Sequence, residues 1–244
     1  MCKFESEVKK SFDSLGISFN SELRLGAAVS GGADSISLLI SLCNILSEYN
    51  LPLYVITVNH NIRPENETAG DALFVKGLCD SLKADGKIVE CSVYEIERGK
   101  VEKEADIRKS GIEESARFLR YECFNQFIKE KKIDYLCLAH NKNDQLETLL
   151  MRFLQGGSLE SMRGIMTSRE CFIRPLLNIG RNEIEEYLKS KNVSWRTDST
   201  NSDTQYLRNN IRMNLVPVLN SNFPGWQKAL LNARSHFEDD YSVI

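Results

Sequence analysis

Ser30-Gly31-Gly32-Ala33-Asp34-Ser35 is the stretch whose residue types are best placed to do chemistry. An apolar run (Leu23, Leu25, Ala27, Ala28, Val29) leads into it, and a second one (Ile36, Leu38, Leu39, Ile40, Leu42) with helical character leaves it. Strand, glycine turn and helix in that order make an anion cradle. Glycines without Cβ let the backbone close on a phosphate, and the first helical amides point outward without internal partners. Ser30 and Ser35 add hydroxyl donors. A carboxylate beside a phosphate repels it unless a cation lies between, so Asp34 reads as a Mg²⁺ ligand. Neither Gly-Lys-Ser/Thr nor G-x-G-x-x-G is present, which sets the loop apart from the common nucleotide motifs. The plainer reading is a glycine turn with an aspartate or serine cap.

Four further polar blocks carry reactive side chains. Asn59-His60-Asn61-Ile62-Arg63-Pro64 follows an apolar run, and its backbone suits a base, with His60 or Arg63 near phosphate; it is equally a turn of residues that tolerate left-handed backbone. Glu113, Arg117 and Arg120 lie one helical turn apart. They make either an ordinary surface pair or a guanidinium site for phosphate or carboxylate. In His140-Asn141-Lys142-Asn143-Asp144, continued to Glu147, His140 suits an acid or base, and Asp144 suits either a helix cap with Glu147 or a second Mg²⁺ ligand beside Asp34. Thr197–Asn201 and Tyr206–Arg212 form the last block. Arg208 and Arg212 share a helix face, where like charges repel, and a polyanion partner would explain them as well as solvation does.

The elements that must position these residues follow from periodicity. A helix is expected over 3–15, strands over 23–29, 53–58, 87–93 and 134–139, and helices over 34–48, 66–84, 111–131, 144–154, 181–192 and 226–237. The charged stretch 95–109 is expected to be an exposed loop. Alternating strands and helices give an α/β fold, a doubly wound parallel sheet, with a short helical C-terminal extension. The three blocks at 30–35, 59–63 and 140–144 all follow strands. Ligands of open α/β sheets sit at the carboxyl ends of strands, so the three are expected to form one site.

Composition narrows the classes. The net charge is −3, distributed as 19 Lys+Arg against 24 Asp+Glu over 1–150 and 12 against 10 over 151–244, which places the positive side in the second part. No apolar run approaches membrane length, and the first residues lack the apolar core of a signal peptide. Seven scattered cysteines without C-x-x-C suit a reducing cytoplasm and small buried apolar roles.

Ser-Gly-Gly-x-Asp-Ser resembles the PP-loop of the ATP pyrophosphatases. With Val-Asn-His-Asn-Ile-Arg, Glu-Ser-Ala-Arg-Phe-Leu-Arg-Tyr, Leu-Ala-His-x-x-x-Asp-Gln-x-Glu-Thr, Arg-Pro-Leu-Leu and Asp-x-Thr-Asn-x(4)-Tyr-x-Arg-Asn-x-Ile-Arg, the ordered set over about 24–217 is similar to the tRNA(Ile)-lysidine synthetase family. The resemblance implies a PP-loop domain over 1–216 and a helical extension over 217–244 that opens a further C-terminal region. It implies a cytoplasmic ligase in which ATP adenylates C2 of cytidine 34 in the CAU anticodon of tRNA(Ile), and L-lysine then displaces AMP. Carried over by position, Ser30, Gly31, Gly32, Ala33, Asp34 and Ser35 bind ATP. Asp34 and Asp144 hold Mg²⁺, and Asp34, Arg117, His140 and Asp144 serve catalysis. Arg208, Asn209 and Arg212 reach substrate or tRNA, and a homodimer is the expected assembly. The chain departs from the family at Asn59, Asn141 and Asn143, where neutral amides stand in for a charged or imidazole side chain. Those changes keep open a non-catalytic ATP- or tRNA-binding member; a tRNA thiolase on the same fold is a further alternative.

Overall fold

A computed structural model describes residues 1–61, 65–197 and 207–241. Four parallel strands lead: β1 (Leu25–Ala28), β2 (Leu53–Asn59), β3 (Val89–Glu95) and β4 (Tyr135–Cys137). Two short strands, β5 (Ser168–Arg169) and β6 (Phe172–Ile173), complete a sheet in the order β3-β2-β1-β4-β6-β5. Among the described residues only the β5/β6 pair is antiparallel. Strand order therefore reverses at β1, whose neighbours are β2 on one side and β4 on the other. That reversal opens a crevice at the carboxyl ends.

Alternation along each strand sends side chains to two cores. Leu25, Ala27, Leu53, Val55 and Cys137 join α1 (Lys3–Ser14), α2 (Ala33–Ser47), α3 (Glu65–Ala84) and α7 (Arg181–Ser190) on one face. Tyr54, Ile56, Leu136, Leu138 and Phe172 meet Phe124 and Phe127 of α5 (Ile112–Lys131) on the other. Gly26 makes the second contact possible: a Cβ there would lie 2.8 Å from Leu136 Cδ1 and 3.3 Å from Phe127.

The stretch expected as a loop at 95–109 contains a helix, α4 (Lys100–Arg108). Its sequence is mostly charged, but Val101 and Ala105, one turn apart, are buried, Val101 with Ala116 and Leu119 of α5, and left-handed Gly99 and Lys109 bound it. The cysteine expectation holds for Cys43, Cys79 and Cys137, which are buried, and fails for Cys2, which is exposed beside the chain start. The C-terminal part is α8 (Leu207–Asn210), a π-helical turn (Ile211–Leu215), α9 (Val216–Asn222) and α10 (Trp226–Tyr241). Among the described residues no helix is long and apolar enough to cross a membrane.

Glu5 fastens α1 to this frame. Its carboxylate is almost fully buried, at 3% exposure. It accepts hydrogen bonds from Cys2 N–H (2.7 Å), Asn44 Nδ2 (2.7 Å) and Tyr187 Oη (2.9 Å), with Lys191 Nζ at 3.0 Å. Burial alone would raise its pKa; the four donors outweigh it and hold the group at about 2. A depressed acid contributes stability that is complete above its ordinary value of 4.5 and is lost as pH falls from there toward 2. The expected size is on the order of 2–3 kcal/mol. Glu5→Gln should remove most of that stability at pH 7 and flatten the acid limb of a urea-midpoint against pH plot between pH 5 and 2. An acid limb as steep as the wild type's would place the acid sensitivity elsewhere.

Candidate active site at the carboxyl edge of the sheet

The glycine loop sits at the reversal point, directly after β1. Gly31 adopts φ +93°, a conformation that L side chains resist. The loop is braced from within: Ser30 N–H donates to Ser35 Oγ (3.1 Å), and Ser35 Oγ donates to Gly32 O (2.9 Å). It is braced from outside by Arg196, whose N–H donates to Gly31 O at 2.9 Å while its Nε pairs with Asp71 at 2.7 Å. Gly32 is the N-cap of α2 and offers no capping side chain; the first helical bond runs from Ile36 N–H to Gly32 O. The amides of Ala33, Asp34 and Ser35 therefore lack intrahelical partners and form the positive end of the helix.

Asp34 is the acid of this cradle. Its Oδ2 pairs with Arg181 Nη1 at 2.7 Å, and its Oδ1 is buried without a partner. Burial raises its pKa; Arg181 opposes this and Asp144 adds to it, with the net shift upward. Asp144 acts on Asp34 because the pairing of β1 with β4 sets their tips side by side. A divalent cation fits this donor set if it arrives with a polyphosphate. Mg²⁺ commonly takes one or two carboxylates and completes its shell with phosphate oxygens and water, and Asp34 Oδ1 is an unused acceptor. Among the described residues no group of three His, Cys, Asp or Glu side chains would hold a metal by itself.

The β4 tip is built differently from the capping pair expected there. Asn141, buried at 3%, caps α6 (Lys142–Leu154) by accepting from Asn143 N–H (2.8 Å) and Asp144 N–H (3.1 Å), and Asp144 Oδ2 accepts in return from Asn141 N–H (2.9 Å). Asn143 Oδ1 accepts from Arg181 N–H at 3.0 Å and so pins the start of α7 beside the loop. Two of the amides that depart from the family pattern thus position the site, and Asn59 does the same at the β2 tip, accepting from Asn61 N–H at 3.0 Å.

The remaining carboxylates give the paired arginines partners within the protein. Arg208 Nη2 binds Asp144 Oδ1 at 2.8 Å and its Nε binds Glu147 at 2.9 Å; Arg212 Nε binds Glu147 at 2.7 Å. Glu147 is therefore not a capping partner of Asp144 but the acid that relieves the repulsion between the two arginines. Asn209 lies between them on α8. Arg117, read either as a surface partner of Glu113 or as part of an anion site, donates to Tyr121 Oη at 3.2 Å and lies 5.0 Å from its ring centroid.

His140 is surrounded by positive charge. Burial first, then Arg174, Arg117, Arg208 and Arg120, hold its pKa at about 3, so the ring is neutral at pH 7. Burial and Arg120 likewise hold His60 at about 4. His140 is thus a neutral hydrogen-bonding group in this state, ready to gain basicity when an anion neutralises its surroundings. Arg63 and the residues 198–206 lie outside the described residues.

Matched against family models, residues 2–219 fit the PP-loop domain. The chain belongs to the PP-loop domain family. Within the PP-loop proteins it is 48% identical over 237 residues to the tRNA(Ile)-lysidine synthase of Treponema denticola, covering 94% of this chain and 50% of that protein. It is 40% identical over 207 residues to the synthase of Borreliella afzelii, covering 85% and 45%. The chain therefore spans about half the length of the curated relatives it matches. The U34-tRNA thiolase NcsA of Methanococcus maripaludis, solved with its [4Fe-4S] cluster, superposes with a TM-score of 0.74 at 17% identity, covering 97% of this chain and 79% of that one, a likeness of fold.

Sequence reasoning missed Arg181, Arg174 and Glu147 as site residues. Arg181 reaches Asp34 across 147 positions, which no local pattern reveals. Glu147 did leave a signal: acids at 144 and 147 face arginines at 208 and 212 with matching helical spacing.

Proposed function

We propose that this PP-loop chain carries the ATP-using active site of a tRNA(Ile)-lysidine synthase. Ser30, Gly31, Gly32, Ala33, Asp34 and Ser35 cradle the phosphates of ATP. The C2 carbonyl oxygen of cytidine 34 in the CAU anticodon attacks the α-phosphorus, the bond to the bridging oxygen breaks, and pyrophosphate leaves. An amino group of L-lysine then attacks C2, the C2–O bond breaks, and AMP leaves. The free amides at the start of α2 stabilise charge on the departing pyrophosphate. A Mg²⁺ at Asp34, with Asp144 near, supplies charge neutralisation when bound. Arg117 and neutral His140 face the reacting centre from the α5 side, and Arg208, Asn209 and Arg212 orient the substrate. The unstacked anticodon base needs no duplex opening, which suits an open cleft.

The observation that carries this reading is the unpartnered Asp34 Oδ1 at the mouth of the glycine loop, in a chain 48% identical to a lysidine synthase. The test is release of pyrophosphate and AMP from ATP by the purified chain, with and without lysine and the CAU-anticodon tRNA. AMP formation that depends on both is the expected result. ATP binding without turnover would favour a non-catalytic member instead.

A further inference from the structure

The cleft has a second wall that the glycine loop does not use. Arg174 stands at the tip of β6, which runs parallel to β4 with Ile173 opposite Cys137. It is 7% exposed, and its Nη1 donates to Met166 O at 2.9 Å. Its Nε is buried with no partner, and the same holds for Arg120 Nε, His60 Nδ1 and His140 Nδ1. Buried polar groups are ordinarily satisfied. Here three of them follow the ends of β2, β4 and β6 and the fourth, Arg120, comes from α5; His60 feels Arg120, and His140 feels Arg174, Arg117 and Arg120. Charge is unbalanced as well. Asp144 and Glu147 are taken by Arg208 and Arg212, and the acid felt by Arg120 is Glu113, outweighed by Arg117.

We propose that Arg174, with Arg117 and Arg120, forms a second phosphate subsite on the α5 side of the sheet, separate from the glycine loop on the α2 side. Three guanidiniums and two imidazole nitrogens approaching from β2, β4, β6 and α5 suit a tetrahedral anion with acceptors on several sides. A planar carboxylate offers two oxygens in one plane and leaves part of the ring unmet. Arginine's fork suits phosphate oxygens in particular. The inference rests on the ligase reading for its ligands: the phosphate belongs either to ATP or to the backbone of the RNA strand that presents the target base.

Titration calorimetry on the purified chain separates the two sources. One arm uses ATP with Mg²⁺, the other an RNA stem-loop carrying the CAU anticodon, each against wild type, Arg174→Met, Arg174→Lys and Arg120→Met, with melting curves to establish folding. Arg174→Met should weaken one ligand by about 10- to 100-fold, with Arg174→Lys intermediate because it keeps the charge and loses the fork. Weakened ATP assigns the subsite to the nucleotide. Weakened RNA assigns it to the strand, and the slope of log K against log salt should then shrink by about 0.7 for each phosphate no longer neutralised. Should Arg174→Met fail to fold, Arg174→Lys and Arg120→Met decide by the same criteria. Folded variants that bind both ligands as wild type does overturn the subsite alone. Wild-type protein that binds neither overturns the subsite and the ligase reading together.

Discussion

Asp34→Asn is expected to lower ATP-dependent pyrophosphate release by about a thousandfold or more and to leave the melting temperature equal to wild type or slightly above it. The two halves of this expectation come from the same geometry. Asp34 sits where phosphate charge would gather, and one of its oxygens has no protein partner. The amide keeps the size of the side chain but cannot neutralise a cation. On the stability side, burial dominates and the carboxyl is shifted upward. An acid whose folded pKa is raised loses stability as pH rises through the carboxylate range, so at neutral pH the charged form is a net cost to the fold. Asn removes that cost, and Arg181 retains Glu185 at 2.9 Å. Function without a stability benefit is the pattern of a site residue. Retained turnover would take Asp34 out of the reaction, and a melting point several degrees lower would make its pairing with Arg181 structural.

The parts of the site carried by local patterns were readable in advance. Continuous apolar strands, two glycines and a helix of small and apolar residues announce the β1–loop–α2 unit, because each of its requirements lies within a few positions. Strand order alone set Asp34 and Asp144 at neighbouring strand tips, where each feels the other's charge. What escaped was set by contacts between distant segments. α4 forms from a charged stretch because Val101 is buried against Ala116 and Leu119 of α5. β5 and β6, two residues each, have no periodicity of their own; β6 is held by Leu138 N–H donating to Ile173 O at 2.8 Å, and that pairing places Arg174 at the site. The amides at 141 and 143 read as losses against the family pattern, whereas in the fold they cap α6 and pin α7. A residue type alone does not reveal which backbone group it will meet.

Glu147→Gln is the substitution expected to loosen the C-terminal helices. Its carboxylate, 5% exposed, is held at once by Arg208 Nε (2.9 Å), Arg212 Nε (2.7 Å) and Arg212 Nη2 (2.9 Å). The amide presents one donor to a pair of guanidiniums that have only donors, and it leaves two like charges one turn apart with Asp144 alone to offset them. Removing one partner of a buried ion pair costs several kcal/mol, but these guanidiniums are 38% exposed and solvent recovers part of the loss. The expected destabilisation is about 2 kcal/mol. It should be local as well as global: tryptic cleavage within 207–222 should accelerate more than cleavage elsewhere, because this clamp docks the π-helical turn onto α6. A double-mutant cycle with Arg212→Met should recover a coupling of about 1 kcal/mol or more. If the midpoint and the cleavage pattern stay as in wild type, Ile211, 2% exposed, docks the segment unaided. The arginines would then be available to a polyanion, and Glu147→Gln should tighten RNA binding instead.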